Sequence, residues 1–133
     1  MDIFEDVTIL FADIAGFTSY GAKVEPVQIV EMVSALFTKF DKQCVKFDIY
    51  KVYTIGDCYV AMGFINKDKR NPGQEAHNML QMAMEMVKII EKTREEIKFD
   101  ELNMRIGIHT VFLNLALPES LICFCFFFCR VRW

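Results

Sequence analysis

An α+β sandwich of ferredoxin-like type, an antiparallel sheet with helices on one face, is what this sequence predicts, on three observations. Short β-branched and aromatic runs alternate with long amphipathic stretches in the order strand, helix, strand, strand, helix, strand. Each long stretch carries a single apolar stripe, so both helices must cover one face of the sheet. Gly56-Asp57 joins two β-rich runs as a tight hairpin.

Composition sets the outer limits. The 133 residues suffice for one domain with one sizeable core, and 53% hydrophobic with 25% charged residues is a globular composition. Lys and Arg number 15 against 18 acidic residues, a net charge of -3 with no basic run, so no nucleic-acid partner is expected. Cys44, Cys58, Cys123, Cys125 and Cys129 are odd in number and irregularly spaced, with no signal peptide before them, which reads as reduced thiols in a cytoplasmic protein. The last three lie in a phenylalanine-rich stretch without a nearby histidine and are not expected to bind zinc.

The first strand is Val7 to Ala12 (VTILFA), short and almost wholly apolar, as in a strand covered on both faces. Gly16 to Gly21 can hold a short turn of helix, and Pro26 marks the start of the next element, where its missing N–H costs little. The helix that follows carries Ile29, Val33, Leu36, Phe37, Phe40, Cys44 and Phe47 on one stripe, with Glu31, Lys39, Asp41 and Lys46 off it. Asp48 to Phe64 forms the hairpin, with Asp57 at its tip. Asn66 to Gly73 is polar and broken by Pro72 and Gly73, an exposed loop.

A second helix is expected from about Glu75 to Lys98, with its stripe on Ala76, Met79, Leu80, Ala83, Met86, Val87, Ile90 and Ile97. Its methionines, Met79, Met82, Met84 and Met86, suit core packing first and an adaptable contact surface second. The last strand, Leu102 to Thr110 (LNMRIGIHT), alternates apolar and polar residues, with Arg105 and His109 on the polar side. A single hydrogen bond is the ordinary role of a histidine so placed.

On this topology the first strand can neighbour the hairpin, which brings Asp13 and Asp57 together. Two converging carboxylates repel, and such a pair persists where cations share it. Hard oxygen ligands select Mg2+ or Mn2+ over zinc. Two such ions hold a triphosphate, activate a hydroxyl and neutralise a leaving group. The backbone amides of Ile14, Ala15, Gly16, Phe17 and Thr18 lie where phosphates would bind, with Gly16 permitting close approach. Phosphoryl or nucleotidyl transfer is the reaction class.

At these residues the chain resembles the class III nucleotidyl cyclases, the adenylate and guanylate cyclase catalytic domain family. VTILFADIAGFTSY, KVYTIGDCYVAMG and MRIGIHT match family motifs in the right order, over about Asp6 to Thr110. The resemblance implies a palm-type core and attack of a ribose 3′-hydroxyl on the α-phosphate of ATP or GTP, giving a 3′,5′-cyclic nucleotide and pyrophosphate. It implies Asp13 and Asp57 as the carboxylates for two divalent metal ions, a backbone carbonyl of Ile14 on one ion, and phosphates held by Gly16 to Thr18. It further implies a second cyclase domain, as homo- or heterodimer, and a cytoplasmic location or one on the cytoplasmic face of a membrane as part of a longer receptor-like chain.

Two departures qualify the match. Tyr53 stands where the family often has a base-reading lysine or glutamate, so the choice between ATP and GTP is open, as for a domain that supplies metals while its partner reads the base. After Thr110 the expected glycine-rich stretch and the later asparagine and arginine give way to VFLNLALPESLICFCFFFCRVRW. Residues 1–110 are thus expected to be a partial, truncated cyclase domain and 111–133 a hydrophobic tail unrelated to it, such as translated intron or a shifted frame. Leu121 to Cys129 is nine apolar residues, short of the roughly twenty of a membrane span, so the tail is only the lesser of possible membrane contacts. The expected behaviour is that of a cyclase part inactive by itself; the alternative is a module that binds metal, nucleotide or a partner without turnover. A diguanylate cyclase is disfavoured, because TIGDCY lacks the acidic Gly-Gly motif of that hairpin.

Overall fold

The computed structural model describes residues 3–66 and 68–114. Their order is β1 (Ile3–Ala15), α1 (Phe17–Gly21), α2 (Pro26–Lys46), β2 (Tyr50–Ile55), β3 (Cys58–Met62), α3 (Pro72–Ile97) and β4 (Asn103–Asn114). The sheet runs β2-β3-β1-β4, and every neighbouring pair is antiparallel. This is the predicted α+β sandwich, with the first strand at its centre.

Alternation along β1 divides the core in two. Leu10, Ala12 and Ile14 face the helices with Tyr59 and Ala61 of β3, against Leu36 and Phe40 of α2 and Met79, Met82, Met86 and Ile90 of α3. Val7, Ile9 and Phe11 face the other way with Cys58, Val60 and Met62. One polar group crosses the helix-side core. The buried Tyr59 hydroxyl donates to Asp41 of α2 at 2.7 Å, and Lys51 of β2 donates to the same carboxylate at 2.9 Å. Burial, then the Cys44 and Asp41 contacts, push the Tyr59 hydroxyl far above its usual pKa, so it stays a donor. The network ties α2 to both strands of the hairpin.

Several features differ from expectation, among them the extent of β1, which runs from Ile3 to Ala15. Pro72 and Gly73 begin α3 instead of ending a loop: Asn71 caps the helix by accepting from Gln74 N at 3.2 Å, and proline is at ease in a first turn. On α3, Leu80 and Val87 are exposed while Met82 and Thr93 are buried, because the helix packs at once on the sheet and on α2, which turns its inner stripe. Of the four methionines, Met79, Met82 and Met86 are core and Met84 is exposed. Finally, β4 does not stop at Thr110. Val111 stays in register with Val7, and the pairing extends to Asn114 opposite Ile3, past a bulge between Phe4 and Val7. The remainder of the expected tail, 115–133, lies outside the described residues.

Candidate metal and phosphate site

The end of β1 brings three side chains together by register. Asp13 stands opposite Cys58 of β3 on one side and Arg105 of β4 on the other. Just past Asp13, the Ile14 amide donates to the Asp57 carbonyl at 3.3 Å, stitching the hairpin tip to β1. The tip can turn there because Gly56 takes a φ of 57°. A side chain at Gly56 would meet nothing within 4 Å, so it is the backbone conformation that requires glycine. By the alternation along β1, Asp13 falls on the same face as Ile9 and Phe11, the one away from the helices.

The electrostatics are those of a like-charge pair with one counter-ion. The Asp57 carboxyl lies within hydrogen-bonding reach of Asp13 and is pushed above its ordinary value, first by partial burial and then by the Asp13 charge. Arg105 pulls the other way: its Nη2 donates to Asp13 Oδ2 at 2.5 Å, while its side chain remains 68% exposed. Arg105 is the residue that sequence reasoning missed. It was placed on the polar side of a strand, but its partner is 92 residues away and follows only from the β1–β4 register.

The turn after β1 is built on Gly16, at φ 81°. A Cβ there would sit 2.4 Å from the Glu101 carbonyl oxygen, so this glycine is required by backbone packing as well as by conformation. The five predicted amides then separate. That of Ile14 is taken by Asp57, Ala15 is in the ladder opposite Asn103, and Phe17 and Thr18 open α1, where first-turn amides have no acceptor within the helix. Tyr53 sits opposite Val60 on β2 and packs on the apolar cluster of the face away from the helices. His109 stands opposite Ile9, well inside β4.

Among the described residues no group of three or more His, Cys, Asp or Glu side chains is placed to hold a metal. Two carboxylates and nearby backbone oxygen suit a small hard cation, which takes its other ligands from substrate phosphates and water. A separate polar cavity of about 350 Å³, lined by Asp48, Asn66, Asn71 and Asn78 among others, includes none of these residues.

Comparison with known proteins bears on this geometry. A model of the adenylate and guanylate cyclase catalytic domain matches residues 1–116. A guanylate cyclase of Toxoplasma gondii is 43% identical over 109 residues, covering 79% of this chain and 2% of that protein. The guanylate cyclase soluble subunit alpha-1 of Bos taurus is 38% identical over 109 residues, covering 80% of this chain and 15% of the subunit. The chain thus spans a small part of the curated relatives it matches. In structure it is similar to the adenylyl cyclase CyaB of P. aeruginosa, with TM-score 0.74 and 20% identity over 84% of this chain and 59% of that one. It is similar also to the dimeric guanylyl cyclase domain of the RhoGC fusion protein of Blastocladiella emersonii, with TM-score 0.70 and 21% identity over 92% and 74%. These two likenesses concern the fold.

Proposed function

Because this chain belongs to the adenylate and guanylate cyclase catalytic domain family, we propose that it is the metal-bearing part of a nucleotidyl cyclase, which converts a nucleoside triphosphate to a 3′,5′-cyclic nucleotide and pyrophosphate. The observation that carries this reading is the convergence of Asp13 and Asp57 at the end of β1, with Asp57 pushed toward its protonated form in the absence of a cation. A pair strained in this way is suited to divalent cations.

In this reading Asp13 and Asp57 hold two ions, Mg2+ or Mn2+, with help from the Ile14 carbonyl. When bound, such ions lower the pKa of the attacking 3′-hydroxyl and neutralise charge on the departing pyrophosphate. A cation on the Asp13 carboxylate would release Arg105, whose exposed guanidinium would be suited to hold a phosphate group. Gly16, Phe17 and Thr18 line the phosphates through the backbone. Tyr53 supplies one hydrogen-bonding hydroxyl and no fixed charge for reading a base.

The names of the relatives, guanylate cyclases, favour GTP over ATP. One is named as a subunit and one similar structure is described as dimeric, which supports a second cyclase domain as partner. Among the described residues no helix is long and apolar enough to cross a membrane. A cytoplasmic setting, or the cytoplasmic face of a membrane within a longer protein, is part of the proposal.

The family match stops at residue 116, which favours a second reading: a module that binds metal and nucleotide, or a partner domain, without turnover. One assay separates the two. Purified protein is incubated with Mn2+ and GTP or ATP, with and without a complete cyclase domain. The first reading expects no cyclic nucleotide from the chain alone and added product in the mixture. Binding of the complete domain with no added product supports the second reading, and robust product from the chain alone overturns its incompleteness.

A further inference from the structure

The turn after β1 carries the backbone that the proposed function gives to phosphates, yet α1 has too little of its own to fix that backbone in place. Its five residues, Phe17–Gly21, fall below the roughly 12 at which a helix holds in isolation, and its N-cap is a glycine, which offers no side-chain acceptor. The position of α1 must come from what it touches. On one flank Gly21 lies against Ile29 of α2, and Phe17 packs on the helix-side core.

On the other flank lies the turn between α3 and β4, residues 98–102. The Tyr20 and Phe99 rings, both buried, form a tilted pair with centroids 5.2 Å apart. The Glu101 carboxylate accepts from Lys23 Nζ at 3.2 Å, and Ser19 is a second donor to it. The Lys23 ammonium also stands over the Phe99 ring, 4.8 Å from its centroid. The Gly16 backbone comes so close to that of Glu101 that no Cβ fits between them. The turn is itself tied down. Lys98 ends α3 at φ 53°, with its amide on the Arg94 and Glu95 carbonyls. The Leu102 amide donates to the Phe99 carbonyl at 3.2 Å, and Arg94 Nε donates to the Leu102 carbonyl at 2.7 Å. A segment bonded to itself and to a long helix can brace one that is not.

We propose that Phe99 and Glu101 are positioning residues, which brace the Gly16–Gly21 turn and so set how well its backbone takes the triphosphate. The inference rests on the proposed function for its ligand, and on the contacts alone for the brace. The Lys23–Glu101 pair is open to solvent on both sides and holds little by itself, so the buried rings carry more of the brace.

The parent chain is compared with Phe99→Leu/Glu101→Ala, which removes the ring and the carboxylate, and with Phe99→Tyr and Glu101→Gln, which keep a ring and an acceptor. Amide hydrogen exchange without metal or nucleotide reads the brace. The Tyr20, Ala22 and Lys23 amides, which donate to the Gly16, Thr18 and Tyr20 carbonyls, are expected to exchange faster in the double variant by about tenfold or more, relative to amides of the β1–β3 ladder. Should that variant fail to fold, Glu101→Ala alone is expected to show about threefold. The product that the chain adds to that of a complete cyclase domain, with Mn2+ and GTP, reads positioning: KM for GTP should rise about fivefold or more with kcat changed less, and the two conservative variants should keep the parent value. Equal relative exchange overturns the brace, and faster exchange with an unchanged KM overturns the positioning role. If the parent chain adds no product, the proposed function fails, and the exchange ratio still decides the brace.

Discussion

Arg70 and Arg105 sit at opposite ends of β1, each beside a carboxylate. Arg70 donates to the Glu5 and Asp6 carbonyls at 2.7 and 3.0 Å and to both oxygens of Glu75 at 2.6 and 3.3 Å. It also lies over the Phe64 ring, 4.4 Å from its centroid, and Glu75 accepts in addition from the Asn71 amide. Arg105 meets one oxygen of Asp13, is largely exposed, and has a second carboxylate, Asp57, close by. At the first end charge is matched and sealed in; at the second, two acids share one exposed cation. The difference separates a joint that holds the fold from a place that can exchange partners.

That contrast is tested most severely at the exchangeable end. Asp13→Ala is expected to reduce the cyclic nucleotide that this chain adds to the output of a complete cyclase domain by on the order of a thousandfold, since a metal-held transition-state charge is worth several kcal/mol. Its melting temperature should barely move, because Asp13 is held by an exposed partner. Activity that survives would remove Asp13 from the site.

At the sealed end the balance reverses. Arg70→Ala strands the buried Glu75 carboxylate and frees the bulged start of β1, and should cost about 3 kcal/mol of stability. Thermal or urea unfolding measures this. A loss below about 1 kcal/mol would mean that the joint is loose and the contrast false.

Much of this was legible in the sequence. The element order, the hairpin at Gly56-Asp57 and the approach of Asp13 to Asp57 all follow from local pattern and a simple topology. Arg105 was not, because a partner across the sheet depends on register, and register is set by the whole face. Nor was the reason for Gly16. A glycine after an acid reads as room for a ligand, and here it also makes room for the Glu101 backbone. Gly16→Ala combines a φ of 81° with a contact of 2.4 Å to a carbonyl oxygen and is expected to destabilise by about 2 kcal/mol. An unchanged melting temperature would restore the ligand-only explanation.

The smallest effect carries the sharpest sign. Burial and the Asp13 charge hold the Asp57 carboxyl above its ordinary pKa of 3.8 in the folded chain. A carboxyl raised on folding favours the fold while protonated, below its ordinary value, and that contribution is lost as pH rises through the raised value. Without metal, Asp57 therefore favours the fold less at neutral pH than in acid. Asp57→Asn, neutral and nearly isosteric, is expected to melt slightly higher than the parent at pH 7, by less than about 1 kcal/mol since solvent screens so open a site. As pH falls well below the ordinary value of 3.8 the two should converge, because the carboxyl is then protonated in the folded and the unfolded chain alike. Mn2+ should reverse the order at pH 7, because it stabilises only the chain that can bind it, by an amount that grows with ion concentration. Differential scanning calorimetry at both pH values, with and without Mn2+, reads all three outcomes. A parent more stable than Asp57→Asn without metal would make the pair at the end of β1 another sealed joint, like that of Arg70.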